Sequence, residues 1–163
     1  MPVKGEMMAL LTRPAGLEEA LRAAELETGR RLERCEHLVA HYGGGTAGRP
    51  LADARDEAAA AYSDALEEQR RLEEALRAAE AEVEAFLGEV RRGCAFRDYC
   101  LLRSRYLLRR TWPRVRRDME ETFGRTVAQR TVHYWHRAAL GRAEAVWEGG
   151  NLPPPEGIDY RTG

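Results

Sequence analysis

The chain has 163 residues, room for one compact domain or for a long helical module plus a small domain, and too few for a second large core. A third of the residues are charged and alanine inflates the apolar share, which favours amphipathic helices with thin apolar stripes and disfavours a tight small-molecule pocket. The net charge of -1 hides a division: residues 1–90 sum to -8, residues 91–142 to +10 with arginine as the sole cation, and the remainder to -3. A basic block of this kind beside an acidic segment suits a dedicated polyanion-binding end, because clustered arginines neutralise phosphates and release counterions.

Met7-Met8-Ala9-Leu10-Leu11 is too short for a signal peptide's apolar region, and no stretch approaches the roughly eighteen apolar residues of a membrane span. The reading therefore places the protein in the cytoplasm, away from membranes. Cys35, Cys94 and Cys100 show no paired spacing and read as reduced structural thiols.

Residues 1–16 form an N-terminal segment closed by Pro14-Ala15-Gly16, after which the first helical pattern begins. Leu17, Leu21, Ala24, Thr28, Cys35, Leu38 and Tyr42 fall on one stripe, which ends at Gly43-Gly44-Gly45. Glycines and Arg49-Pro50 mark the following loop. A second helix is expected from about Leu51 to Arg91, with Tyr62, Ala65, Gln69, Leu72, Leu76, Ala79, Val83, Phe86 and Val90 at steps of three and four. That heptad spacing requires a coiled-coil-like partner, so residues 17–91 are expected to form a long antiparallel helical hairpin. The run Leu-Glu-Glu-Ala-Leu-Arg-Ala-Ala-Glu occurs at 17–25 and again at 72–80, which we read as convergence on good helix formers. At ~1.5 Å per residue the second helix is longer than the first by roughly 20 Å, leaving Ala79, Val83, Phe86, Leu87 and Val90 to be covered by something else. Met7 to Leu11, the C-terminal domain and a second subunit are the candidates, and a homodimer through the hairpin is the favoured one.

Three shorter helical segments follow Arg91-Arg92-Gly93 and define a domain over residues 94–147. In the first, Phe96, Tyr99, Leu102, Tyr106 and Leu107 share a face from which Arg97, Ser104 and Arg105 point away. Thr111 is placed to cap the next, with Trp112-Pro113 in its first turn and Val115 and Met119 facing inward. Thr126-Val-Ala-Gln129 has the spacing of a capping box and opens the last helix, which runs to about Trp147. Residues 148–163, rich in glycine and proline, read as a flexible tail.

Two short helices, a glycine-containing turn and a longer arginine-bearing helix make an all-α helix-turn-helix pattern, whose second member lies in the major groove. On the last helix Val132, Trp135, His136, Ala139 and Ala143 fall together, and Arg130, His133, Tyr134 and Arg137 fall opposite. We therefore assign base edges to Gln129, Arg130, His133 and Arg137, and the DNA backbone to Arg109, Arg110, Arg114, Arg117 and Arg125.

The run Leu102-Arg-Ser-Arg-Tyr-Leu, then Thr111-Trp112, Val115, Met119 and Gln129 to Leu140 resembles a sigma-factor region 4-like helix-turn-helix. More particularly it is similar to small phage and prophage proteins that join such a motif to an N-terminal helical hairpin. The resemblance implies double-stranded DNA as a partner, RNA polymerase of the host as a second, and a role in phage late-gene transcription or near the packaging genes. Two departures bear on geometry: Val115-Arg116 replaces an Ile-Ala pair, and a longer Glu120 to Val127 connection replaces a tight Gly-Tyr-Ser turn. The expected function is a sequence-specific transcription regulator; the alternatives are a small terminase-like packaging component and a polymerase-binding protein that never touches DNA.

Other constellations carry less. Cys35, His37 and His41 lie within two turns, but a fourth ligand and a metalloprotease acid are missing, so structural use is expected and no metal or cofactor is assigned. His133 and His136 are expected on different faces. Glu73 and Arg77 have the spacing of a surface pair, the glycines at 43–48 lack a phosphate-loop ending, and no nucleophile motif is present, so no enzymatic activity is expected.

Overall fold

The structure is a computed structural model that describes residues 2–42 and 49–149. Its elements are α1 (Pro2–Tyr42), α2 (Arg49–Gly93), α3 (Phe96–Leu102) with a π-helical turn over Arg103–Leu107, α4 (Trp112–Phe123) and α5 (Gln129–Trp147). Among the described residues there is no β-strand, and no helix is long and apolar enough to cross a membrane. The chain divides into two compact units, one of Gly16–Arg77 and one that joins Met1–Ala15 to Ala78–Gly163. The boundaries drawn from sequence, 17–91 and 94–147, thus differ from the compact units, for a reason that lies in the core of the second.

In the unit Gly16–Arg77, α1 and α2 meet along the anticipated stripes. Ala58 and Leu72 are buried, Leu21, Ala24, Ala65 and Leu76 are half-buried, and the Thr28 hydroxyl donates to Ala24 O (2.9 Å) and toward Ala65 O (3.4 Å). The seam is thin: Leu26 and Val39 stay about two-thirds exposed. Glu73 accepts from Gln69 (3.2 Å), while Arg77 reaches only the Glu73 carbonyl at 3.5 Å, so the expected Glu73–Arg77 ion pair is not formed.

The other unit holds the main core. Met7, Leu11 and Pro14, from the first turns of α1, are fully buried in it, and Arg13 pairs with Glu82 at 3.0 Å. This corrects two expectations. Residues 1–16 are not a separate segment, since α1 runs unbroken from Pro2 and carries Pro14 in its interior. A proline there costs ~3 kcal/mol through its lost N–H, and burial of Met7 and Leu11 at roughly 1.5–3 kcal/mol each offsets it. Nor does a second subunit cover the end of α2. Val83, Phe86, Leu87 and Val90 pack in one cluster with Met7, Leu11, Leu101, Leu102, Val115, Met119, Val132 and Trp135. Phe86 meets Trp147 edge-on at 5.2 Å, and a side-chain carbon on Gly93 would lie only 3.3 Å from Val146, so the glycine lets the ends of α2 and α5 approach.

The inner face of α3 also differs from expectation. Ala95, Asp98, Leu101 and Leu102 are buried, whereas Phe96 is 48% exposed. Asp98, only 1% exposed, accepts two bonds from the guanidinium of Arg142 on α5, at 2.5 and 2.7 Å. Ser104 is buried as well, because the wide turn after Leu102 carries its hydroxyl inward to donate to Asp118 (2.6 Å). Polar residues turn inward here because each finds a partner, the condition under which burial is tolerated.

The Asp98–Arg142 pair ties the start of α3 to the second half of α5, and removing one member takes from the other its bidentate partner in a largely buried site. Asp98→Ala is expected to cost about 3–5 kcal/mol, and the double replacement Asp98→Leu with Arg142→Met to cost clearly less than Asp98→Ala alone. Urea unfolding of the three proteins measures both values.

Candidate nucleic-acid interface

The basic segment is organised by α4 and α5. Thr111 occupies the N-cap position of α4 in an extended conformation, but its hydroxyl makes no capping bond; Pro113 lies in the first turn, where its missing N–H is harmless. Val115 and Met119 are fully buried, as their spacing requires. α4 continues through Phe123 and stops at Gly124, whose φ of +67° is the left-handed conformation that glycine adopts at little cost. The connection is therefore Gly124–Ala128, shorter than the Glu120 to Val127 link read from sequence. Glu120 fixes it, since its Oε1 accepts from the Val127 N–H (3.1 Å) and from Arg116 (3.2 Å).

Thr126 is exposed and does not cap α5, so the capping box is corrected. The N-cap is Ala128, whose carbonyl takes the N–H groups of Thr131 and Val132 at 3.0 and 3.2 Å, and Val127 is held in the core. The Gln129 side chain lies beside His133 instead, 3.4 Å from its Nε2.

α5 has two opposed faces. Val132, Trp135, Ala139 and Ala143 are buried, as anticipated. Arg130, Tyr134 and Arg137, at i, i+4 and i+7, are exposed along the opposite side, with Tyr134 66% accessible. Among the described residues no carboxylate pairs with Arg130 or Arg137. Sequence reading placed Tyr134 on this face and gave it no role, although its spacing between two arginines was the available signal.

The histidines sit elsewhere than the helical wheel suggested. His133 and His136 both flank the half-buried Trp112 ring, at 4.5 and 4.7 Å between centroids, because Trp112 at the start of α4 wedges against the first turns of α5. Arg105 lays its guanidinium over the same ring, 4.7 Å from the centroid. His136 Nε2 lies 2.8 Å from the Tyr106 hydroxyl. Burial, then the charges of Arg105 and His133, lower the His136 pKa from its usual 6.5 to about 4, so the ring is neutral at neutral pH.

The arginine block divides by use. Arg109 has a left-handed backbone (φ 53°), a conformation costing an L-residue about 1–2 kcal/mol, and its side chain holds Glu80 at 2.8 Å and the Leu107 carbonyl at 3.0 Å. Arg110 pairs with Asp118 (3.1 Å), and Arg105 donates to the Arg110 carbonyl (2.8 Å). Arg114, half exposed, leans on the same Asp118 at 3.3 Å. Arg117 is exposed with no carboxylate beside it among the described residues, and Arg125 is exposed with its guanidinium 5.9 Å from the Trp135 ring centroid. Of the five arginines given to the DNA backbone, the structure thus engages Arg109 and Arg110 internally and leaves Arg117 and Arg125 outermost.

Cys35 is half-buried and His37 exposed; the His41 side chain lies outside the described residues, as do the glycines 43–48 and the tail beyond Gly149. Comparison of the chain with protein-family models, with curated proteins and with solved structures finds no match.

The lowered His136 pKa has a sign that can be checked. The unfolded chain takes up a proton near pH 6.5 and the folded one near pH 4, so this contribution to stability is complete above pH 6.5 and lost as pH falls toward 4. After discounting for partial contact with water, a loss of about 1 kcal/mol is expected between pH 7 and pH 5. Urea midpoints for the parent and for His136→Phe, which lacks the titrating ring, should converge as the pH is lowered; parallel decline would contradict the assignment.

Proposed function

We propose that the chain is a sequence-specific DNA-binding regulator of transcription, of the phage and prophage type, that uses α4 and α5 as a sigma region 4-like helix-turn-helix on double-stranded DNA. The observation that carries this reading is the exposed line Arg130, Tyr134 and Arg137 on a helix whose opposite face is sealed into the core. An α-helix fits the major groove, where an arginine can pair bidentately with guanine and an aromatic edge can meet a thymine methyl. Gln129 and His133 adjoin that line near the N-terminal end of α5, and we keep them among the base-contacting residues. Arg117 and Arg125 are assigned to phosphates, with Arg114 sharing itself between Asp118 and the backbone. Arg109 and Arg110 are reassigned to holding the motif together, since both are already engaged.

In the same reading α1 and α2 form an antiparallel hairpin, supported by the meetings of Thr28 with Ala65 and of Arg13 with Glu82. A hairpin that exposes Leu26 and Val39 offers surface for pairing two copies on a two-part operator.

Two substitutions should fail differently. Arg130→Ala is expected to cost ~1–3 kcal/mol on the preferred site and much less on scrambled DNA. Arg117→Ala should weaken both and reduce the slope of log K against log salt by about one. The preferred site comes from selecting genomic fragments bound by the full chain. Enrichment of promoters agrees with the regulator, enrichment of a packaging site would replace it with a packaging role, and no enrichment would reject DNA reading altogether.

A further inference from the structure

A second surface lies in the same compact unit, on the outer side of α3 and α4. There a cleft of about 400 Å³ is lined by Arg91, Phe96, Tyr99, Arg103, Leu108 and Glu121, with Arg110 and Asp118 at its wall. Phe96 and Leu108, 48% and 39% exposed, are among the few large apolar side chains the described residues leave in water, and both open onto this cleft. Arg91 lies over the rings of Phe96 (5.8 Å) and Tyr99 (5.2 Å), and Arg103 is exposed; among the described residues neither pairs with a carboxylate. Asp118 contributes little free negative charge, because Ser104, Arg110 and Arg114 already surround it.

We propose that this cleft docks an acidic peptide segment of a partner protein, which places an apolar side chain on Phe96 and Leu108 and sets carboxylates against Arg91 and Arg103. The volume is at the small end of ligand pockets and suits one or two side chains, not a folded surface. Charge complementarity selects the occupant: two unpaired arginines stand beside an apolar floor, so the ligand must carry carboxylates next to an apolar anchor. Nucleic acid fits less well, because duplex DNA offers no apolar side chain for Phe96 and Leu108 to cover. The proposal does not depend on α5 reading DNA, and the two surfaces share no residue.

The probe is a yeast-displayed library of random peptides panned against the full chain, with a fluorescent random-sequence duplex titrated in parallel. Enriched peptides should combine Leu, Phe or Trp with Asp or Glu. Made synthetically, they should lose about tenfold or more in affinity to the Arg91→Glu, Arg103→Glu double variant and to Leu108→Asp, with the Arg91→Gln, Arg103→Gln pair intermediate. Circular dichroism establishes that each variant is folded, and the milder glutamine pair serves where a charge reversal does not fold. Arg130→Ala should leave peptide binding within about twofold. The proposal is overturned if nothing enriches, if enriched peptides lack acids, or if they bind the arginine variants as well as the parent. It is equally overturned if duplex binding falls with the Arg91 and Arg103 variants as steeply as peptide binding does, since the cleft would then belong to a nucleic-acid surface.

Discussion

The last three helices share their core with the apolar end of α2, which completes it. Val83, Phe86, Leu87 and Val90 share one buried cluster with residues of α3, α4 and α5 and with Met7 and Leu11 from the first turns of α1. A segment of residues 94–147 lies near the size at which burial barely balances chain entropy, so a further set of fully buried side chains decides whether it folds. The direction in which α5 presents its arginines follows from this packing. Trp135, Ala139 and Ala143 are drawn inward by the shared core, and Arg130, Tyr134 and Arg137 are turned out as a consequence.

Arginine does two kinds of work in this unit. Arg142, Arg110 and Arg109 each hold a carboxylate on another element, at Asp98, Asp118 and Glu80. These are the joints between α3 and α5, between the connection 108–111 and α4, and between that connection and α2. Guanidinium suits such joints because its planar fork engages both oxygens of a carboxylate and loses less hydration than an ammonium. Others, among them Arg91, Arg103, Arg117, Arg130 and Arg137, face water, and these carry the positive charge that a partner of this segment would meet.

Much of the helical architecture was legible in the sequence because it depends on periodicity. The stripe of α2, the pair Val115 and Met119, and the buried face of α5 are local patterns, and burial follows them. What escaped depends on partners far along the chain. Pro14-Ala15-Gly16 has the look of a break, and only the burial of Pro14 beside Met7 and Leu11 makes an unbroken helix favourable. Asp98 and Ser104 are polar, and their inward orientation requires knowing that Arg142 and Asp118 await them. The start of α5 was misplaced because Thr126 and Gln129 match a capping pattern, whereas Glu120 and the buried Val127 set the turn. The candidate site was legible as a face of α5, while the wedging of Trp112 between two histidines was not, since a helical wheel contains no neighbouring helix.

A core assembled from segments far apart in the sequence has a history during synthesis. Met7 and Leu11 are made well over a hundred residues before Trp135 and Ala139, with which they share a hydrophobic cluster. At ~5–20 residues per second, roughly six to twenty-five seconds separate them on a ribosome, and the cluster cannot close in that interval. The pairing of α1 with α2 needs only residues already made, and it sets Leu11 near the apolar end of α2 before the C-terminal helices emerge. The early helices thus act as a holding partner for their own apolar turns until α5 has been made.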